Sequence, residues 1–282
     1  MATSTDAPQG ITFTLDLEDG RERGCRDDRF EAVTRRLLDF LAERSVQGTV
    51  FVVGQLAEDC PGLVREVAHR GHEIALHGYR HVPLTQLDAA TFQSETKKGK
   101  ALLEDLIGGP VMGYRAPIFS LVRSTVWAAP ILGELGFAYS SSVLPAKSPL
   151  FGFPGCPSRP FSWPVGLVEL PVPVAAVGAT GIPFLGGVYL RALPWPVVKI
   201  ALKTWGRRQS LWTYCHAHDF DADEPFRLID GLGWAGSRLF FANRAGMFDR
   251  IERLIREGIA PALADRVAAG ILAPRIRLSM LE

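Results

Sequence analysis

Short runs rich in β-branched and aromatic residues alternate along most of the chain with amphipathic stretches of helical period. That alternation predicts βα units stacked around a parallel sheet or barrel. Residues 11–17 alternate as a strand does, and residues 29–44 are helical, with Phe30, Val33, Leu37, Phe40 and Leu41 on one face before Gly48 ends the unit. Residues 49–53 predict a buried strand, 63–70 a short helix stopped by Gly71, and 72–76 the next strand. A long helix is expected over 87–107, closed by Gly108 and Gly109, then an extended segment over 112–117 that Pro117 keeps out of helix, then a helix over 124–135. Strands are expected over 137–143 and 168–174, separated by a Pro/Gly-rich loop over 145–164 that is long enough to serve as a substrate wall. Further on, 211–215 reads as the last clear strand and 243–257 as a late helix.

Two stretches keep a second reading open. Residues 196–208 form a basic amphipathic helix, with Val197, Val198, Ile200, Ala201, Leu202 and Trp205 beside Lys199, Lys203, Arg207 and Arg208. Core packing with a solvated cationic face is one reading; a patch for a phosphate-bearing or membrane-anchored substrate, with peripheral membrane contact, is the other. Residues 223–282 form a C-terminal extension whose Phe/Gly-rich part, 226–241, closes the pocket or meets another subunit.

The 282 residues are 47% hydrophobic and 22% charged, which excludes disorder and allows one large core; a single domain is expected, with residues 1–10 as a flexible N-terminus. Thirty-one Lys and Arg against thirty Asp and Glu leave a formal charge of +1, so nothing favours nucleic acid as a partner. The opening residues have no cationic head or apolar run, so the expected location is cytoplasmic. The most apolar stretch, 165–190, is interrupted by Glu169, three prolines and five glycines, so no transmembrane segment is expected. Cys25, Cys60, Cys156 and Cys215 stand far apart and read as free thiols.

Candidate chemistry gathers at the C-terminal ends of four expected strands, where parallel βα folds present their functional groups. Asp16 and Glu18 share a strand face by the period of two, with Asp19 next to them, and clustered carboxylates need a cation or a proton between them. His77 and His81 stand four residues apart; a helical turn after Leu76 would aim both rings at one divalent ion, with Zn, Co, Ni or Fe suiting two imidazoles and a carboxylate. Arg115, held extended by Pro117, can orient a carboxylate through paired hydrogen bonds. His216, followed by Ala217, His218 and Asp219, fits a general acid.

These clusters, in this order, resemble the polysaccharide deacetylase family, carbohydrate esterase family 4, over about residues 11–221. Glu18-Asp19-Gly20 is similar to the family's first motif, His77 and His81 to its second, Arg115-Ala116-Pro117 to its third and His216 to its last. The phrases 48–54 and 71–78 agree with the flanking strands. Asp16-Leu17-Glu18-Asp19, Gly113 to Pro117 and Tyr214 to Asp221 resemble more closely the subgroup associated with bacterial exopolysaccharide and surface-glycan synthesis, whose last motif reads His-Pro-Trp-Glu where this chain has His216-Ala217-His218-Asp219.

The resemblance implies an α/β fold, a distorted (β/α)7-type barrel, and metal-dependent removal of an N-acyl group, most simply acetyl, from an amino sugar, with zinc the first candidate ion. It implies metal ligation by Asp19, His77 and His81 and catalytic roles for Asp16, Glu18, Arg115 and His216; Tyr79, Pro117 and His218 are expected to line the substrate. A second register makes Asp16 the base and Glu18 the ligand. Without an export signal, the amino-sugar substrate is expected to be nucleotide- or lipid-linked. A metal-independent, allantoinase-like amidohydrolase and an inactive glycan-binding module are the alternatives.

Overall fold

The computed structural model describes residues 10–19, 29–148, 150–177, 180–205 and 211–270. Cys25, Gly20, Arg207 and Arg208 lie outside the described residues. The strands in chain order are β1 (Ile11–Thr12), β2 (Thr14–Leu17), β3 (Thr49–Val52), β4 (Glu73–Leu76), β5 (Gly113–Tyr114), β6 (Tyr139–Ser140), β7 (Phe161–Ser162), β8 (Val168–Glu169), β9 (Val174–Val177), β10 (Thr180–Pro183), β11 (Cys215–His216) and β12 (Ile259–Ala260). Eight of them form one curled sheet in the order β11-β2-β3-β4-β5-β6-β8-β7, parallel except for the edge strand β7. This is the α/β, distorted (β/α)7-type barrel expected from the motifs. β1 pairs with β12 in parallel, and β9 with β10 in an antiparallel hairpin.

Both faces of the sheet are buried, and the strands sort their side chains by parity. Leu15, Leu17, Val50, Val52, Ile74, Leu76, Tyr114 and Cys215 pack in a large cluster with Leu37, Val64 and Leu103 from the surrounding helices. Phe51, Ala75, Tyr139, Trp212 and Tyr214 form a second, interior cluster. The register Asp16↔Phe51↔Ala75 and His216↔Asp16 places the odd-numbered positions of β3, β4, β5 and β6 and the even-numbered positions of β2 and β11 on the interior face.

The helices are α1 (Arg29–Ala42), α2 (Gly54–Asp59), α3 (Pro61–His69), α4 (Ala89–Ile107), α5 (Ala128–Glu134), α6 (Gly187–Ala192), α7 (Trp195–Trp205), α8 (Gly233–Phe241), α9 (Met247–Glu257) and α10 (Leu263–Ala268). α4 starts where the Asp88 side chain accepts from Thr91 N at 2.7 Å and stops at Gly108, whose φ of +65° is left-handed. Several expected elements are shorter than their hydrophobic runs. Residues 11–17 split between β1 and β2, and only residues 139–140 of 137–143 and Cys215 of 211–215 enter the main sheet. The helix expected over 243–257 begins at Met247 after a 3₁₀ turn at Arg244–Gly246. Helices α2, α6 and α8 had no expectation at all; α8 is preceded by Gly231 and opened by Gly233, both at positive φ, which hid its helical period.

Among the described residues no helix is long and apolar enough to cross a membrane. Cys156 and Cys215 are free thiols.

Candidate active site

Strand parity builds the site. Continued one step past the strand ends, the interior face of β2 carries Asp16 and Glu18, that of β4 carries His77, that of β5 Arg115, that of β6 Ser141, and that of β11 His216. Parallel strands therefore deliver these six groups to one rim.

Arg115 is fully buried and sits over the Phe51 ring at 3.8 Å and the Trp212 ring at 4.4 Å. Its guanidinium donates to Asp16 Oδ1, to Thr14 Oγ1 at 3.1 Å and to Ser141 Oγ at 3.2 Å. A buried carboxylate fastened to a fixed cation is oriented as well as charge-balanced. The free oxygen, Asp16 Oδ2, lies 3.8 Å from His77 Nε2 and 3.9 Å from His216 Nε2, between the two imidazole groups.

Glu18, His77 and His81 form a group whose donor atoms all lie within 4.8 Å of one another. His81 Nε2 touches Glu18 Oε2, and His77 Nε2 is 3.5 Å from the same oxygen. That oxygen is buried yet accepts no hydrogen bond of acceptable geometry, the signature of donors pointed at a common place rather than at each other. His77 Nδ1 lies 3.0 Å from the Arg115 carbonyl, which fixes the tautomer with Nδ1 protonated and leaves the Nε2 lone pair for an ion. Two imidazoles and one carboxylate, leaving positions for water, fit a divalent metal such as zinc. Burial alone would raise the Glu18 carboxyl; the charge of His81 and contacts with His77 and His216 outweigh it and hold it well below the usual range.

Two expectations about this group are corrected. The two histidines do not share a helix: no helix covers residues 77–83, and the rings meet, centroids 5.0 Å apart, because Gly78 at φ +68° and His81 at φ +57° reverse the chain. A Cβ on Gly78 would stand 3.0 Å from Pro117 Cγ, so Pro117 is buried against this turn. The carboxylate in the group is Glu18, not Asp19. Asp19 stands one residue out of step with the interior-facing positions Asp16 and Glu18, and the period of two already separated them.

His216 has its own partner. Its backbone N donates to Asp219 Oδ2 at 2.8 Å, and its Nδ1 lies 3.1 Å from the same oxygen. Asp219 Oδ1 accepts from Arg191 Nε at 2.8 Å, and both residues are buried. Burial opposes a charged imidazole, but the Asp219 hydrogen bond and then the charge of Glu18 raise His216 to about 9. His216 is therefore an imidazolium at neutral pH, with Nε2 3.8 Å from Glu18 Oε1. His216, His218 and Asp219 also group closely enough for an ion. Asp219, though, is already taken by Arg191 and His216, and burial pushes His218 down to about 3, so it is neutral. His218 stacks on His216 at 4.8 Å with 10° between planes. Tyr79, expected at the substrate, donates its hydroxyl to Glu58 at 2.6 Å and lies under Lys98, which ties α2 to α4. Sequence reasoning missed Asp219 as the partner of His216, and missed Arg191 and Ser141; the i, i+3 spacing of His216 and Asp219 was the available signal.

Fold and side chains define a (β/α)7-type barrel with metal donors, an Arg-held carboxylate and an Asp-held imidazolium gathered at one rim. Residues 11–138 match the family model described as polysaccharide deacetylase. Residues 141–259 match a second model, described only as a domain of unknown function (DUF3473). The boundary falls inside the single curled sheet, since β7, β8 and β11 belong to the second match. The peptidoglycan-N-acetylglucosamine deacetylase of Bacillus cereus is 29% identical over 96 residues, 34% of this chain and 35% of that protein. The chain spans about a third of the length of the curated relatives it matches. A solved Mycobacterium smegmatis protein assigned as a polysaccharide deacetylase shares the fold at TM-score 0.61 and 24% identity, over 100% of this chain and 98% of that one. An allantoinase structure shares it at TM-score 0.61 and 16% identity, over 96% of this chain and 93% of that one.

Proposed function

We propose that this chain is a metal-dependent hydrolase that removes the acetyl group from an N-acetylated amino sugar. The observation that carries the reading is the meeting, at one rim, of the Glu18–His77–His81 group with Asp16 and His216, each locked by its own buried partner. An amide resists hydrolysis because water is a weak nucleophile and an amine anion a poor leaving group. Glu18, His77 and His81 would hold a divalent ion, zinc first among the candidates, which when bound makes water more acidic and polarises the acyl oxygen. Asp16 Oδ2 accepts the proton of the attacking water, and Arg115 keeps that carboxylate ionised and aimed. His216, already protonated, hands its Nε2 proton to the departing nitrogen, so the products are acetate and the free amino sugar. Each proton transfer contributes about 10²–10⁴-fold.

The substrate class draws on the similarity to the peptidoglycan-N-acetylglucosamine deacetylase and to a chitooligosaccharide deacetylase of Rhizobium leguminosarum, 38% identical over 84 residues. The resemblance of Asp16-Leu17-Glu18-Asp19 and of Gly113 to Pro117 to the surface-glycan subgroup extends the reading to amino-sugar glycans made for the cell surface, as polymers or as nucleotide- or lipid-linked precursors. The allantoinase fold match supports a second reading, hydrolysis of a cyclic ureide without metal. Acetate release from N-acetylglucosamine oligomers by zinc-loaded protein, beside ammonia-free ring opening of allantoin by chelated protein, separates the two. Acetate release only from the loaded protein is expected; allantoin turnover by the chelated protein alone would overturn the first reading.

A further inference from the structure

We propose that a strip of rings running from the rim to Trp234 binds the saccharide chain that flanks the reacting sugar; this rests on the amino-sugar reading above. The strip is continuous. His218, stacked on His216, meets Phe240 at 4.6 Å; Phe240 meets Phe241 at 5.6 Å; Phe241 meets Phe226 at 5.4 Å. Arg238 then bridges Phe226, at 5.2 Å, and Trp234, at 5.5 Å. Its members are partly open to solvent from end to end: His216 and His218 expose about a fifth of their side chains, Phe240 and Phe241 are half-buried, and Phe226 and Trp234 are 43% and 66% exposed.

Exposed aromatic faces with a polar neighbour suit the apolar C–H face of a pyranose, whose equatorial hydroxyls then reach the stacked guanidinium. Isolated exposed apolar residues need no explanation, but a series joined ring to ring and ending on the general acid does. The strip is also fixed in register with the chemistry. Arg191, which holds Asp219 against His216, donates to Phe240 O at 3.0 Å and to Ala242 O, so one buried guanidinium sets both the acid and the inner end of the strip. Asn243 Nδ2 returns a bond to Arg191 O at 3.2 Å.

The test measures kcat/KM for acetate release from N-acetylglucosamine oligomers of increasing length, with wild type, W234A, F226A and, as control, V165A at an exposed site away from the strip. Because Trp234 is exposed, its removal leaves the core untouched. Wild type and V165A should gain about three- to tenfold for each sugar that reaches a ring, and W234A and F226A should lose that gain, bringing the ratio of long to short substrate toward one. Unchanged length dependence in W234A and F226A would overturn the proposal. Tryptophan fluorescence titrated with the longest oligomer, comparing wild type with W234F, gives a readout independent of turnover. A Trp234-dependent signal without acetate release would leave the strip standing and refute the deacetylase reading; neither signal would refute both. Leu228, Leu232 and Leu239 lie exposed in the same segment. Sedimentation with phosphatidylglycerol vesicles that W234A abolishes, with no length dependence, would assign the surface to a bilayer and overturn the saccharide proposal.

Discussion

Replacing Asp219 by Asn tests how the general acid is made. Asn keeps the size but removes the charge that holds the imidazolium, and its single oxygen can accept on only one of the two sides Asp219 serves, the His216 backbone N–H at Oδ2 or Arg191 at Oδ1. His216 stands at about 9 instead of 6.5 although burial opposes it; that difference is worth about 3 kcal/mol in favour of the protonated ring. Asp219 contributes both the leading hydrogen bond and a charge, and Glu18 and Asp16 supply the rest. An ion held by Glu18 would cancel much of that carboxylate's share, so in the loaded enzyme Asp219 matters more. The sign follows: a raised imidazole is protonated below its folded pKa and fails as an acid above it, so wild-type kcat should hold to near pH 8 and fall toward pH 9. In D219N the falling limb should move down by about two pH units, toward the ordinary imidazole range, and kcat at pH 8 should then drop about 10-fold. The assay is acetate release from pH 5.5 to 10 with metal content checked at each point. Melting is followed in parallel, because an unpaired buried Arg191 can cost about 3–5 kcal/mol. A folded, metal-loaded D219N with an unmoved alkaline limb would refute the assignment of His216 as an acid poised by Asp219.

Glu18→Gln should weaken zinc binding by more than ~100-fold, since loss of a mere hydrogen-bond partner to a ligand already costs ~10–100-fold, whereas Asp19→Asn should leave it within a few-fold; competition with a chromophoric chelator reads both, and the reverse order would restore the Asp19 register. Gly78→Ala places a Cβ at φ +68° and 3.0 Å from Pro117 Cγ. It should cost about 1–2 kcal/mol, lower Tm by a few degrees, and weaken metal binding because His77 and His81 flank the turn; unchanged zinc affinity would show that the turn does not set the ring positions.

The barrel was legible because each βα unit writes its own pattern, and the rim residues were legible because they follow those strands at once. Where reasoning from the chain failed, the cause is physical. The step from His77 to His81 was taken for a helical turn because four residues suit one, yet the same convergence follows from two left-handed residues, and Gly78 was the visible clue. Asp19 was favoured over Glu18 through the following Gly20, although strand parity alone separates them. α8 was missed because Gly231 and Gly233 break the hydrophobic period, and because Leu232, Trp234 and Leu239 are exposed rather than packed in the core. Arg191 could not be placed at all: a lone arginine carries no sign of a partner 28 residues away.

The central claim is a single dication held by Glu18, His77 and His81. Equilibrium dialysis against zinc followed by elemental analysis tests it most directly. Wild type should retain one tightly held ion per chain and lose it in the double variant His77→Ala, His81→Ala, with folding checked by circular dichroism because His77 is buried against the Arg115 carbonyl. A wild-type chain that retains no zinc, cobalt, nickel or iron, or a double variant that binds as well as wild type, would contradict it.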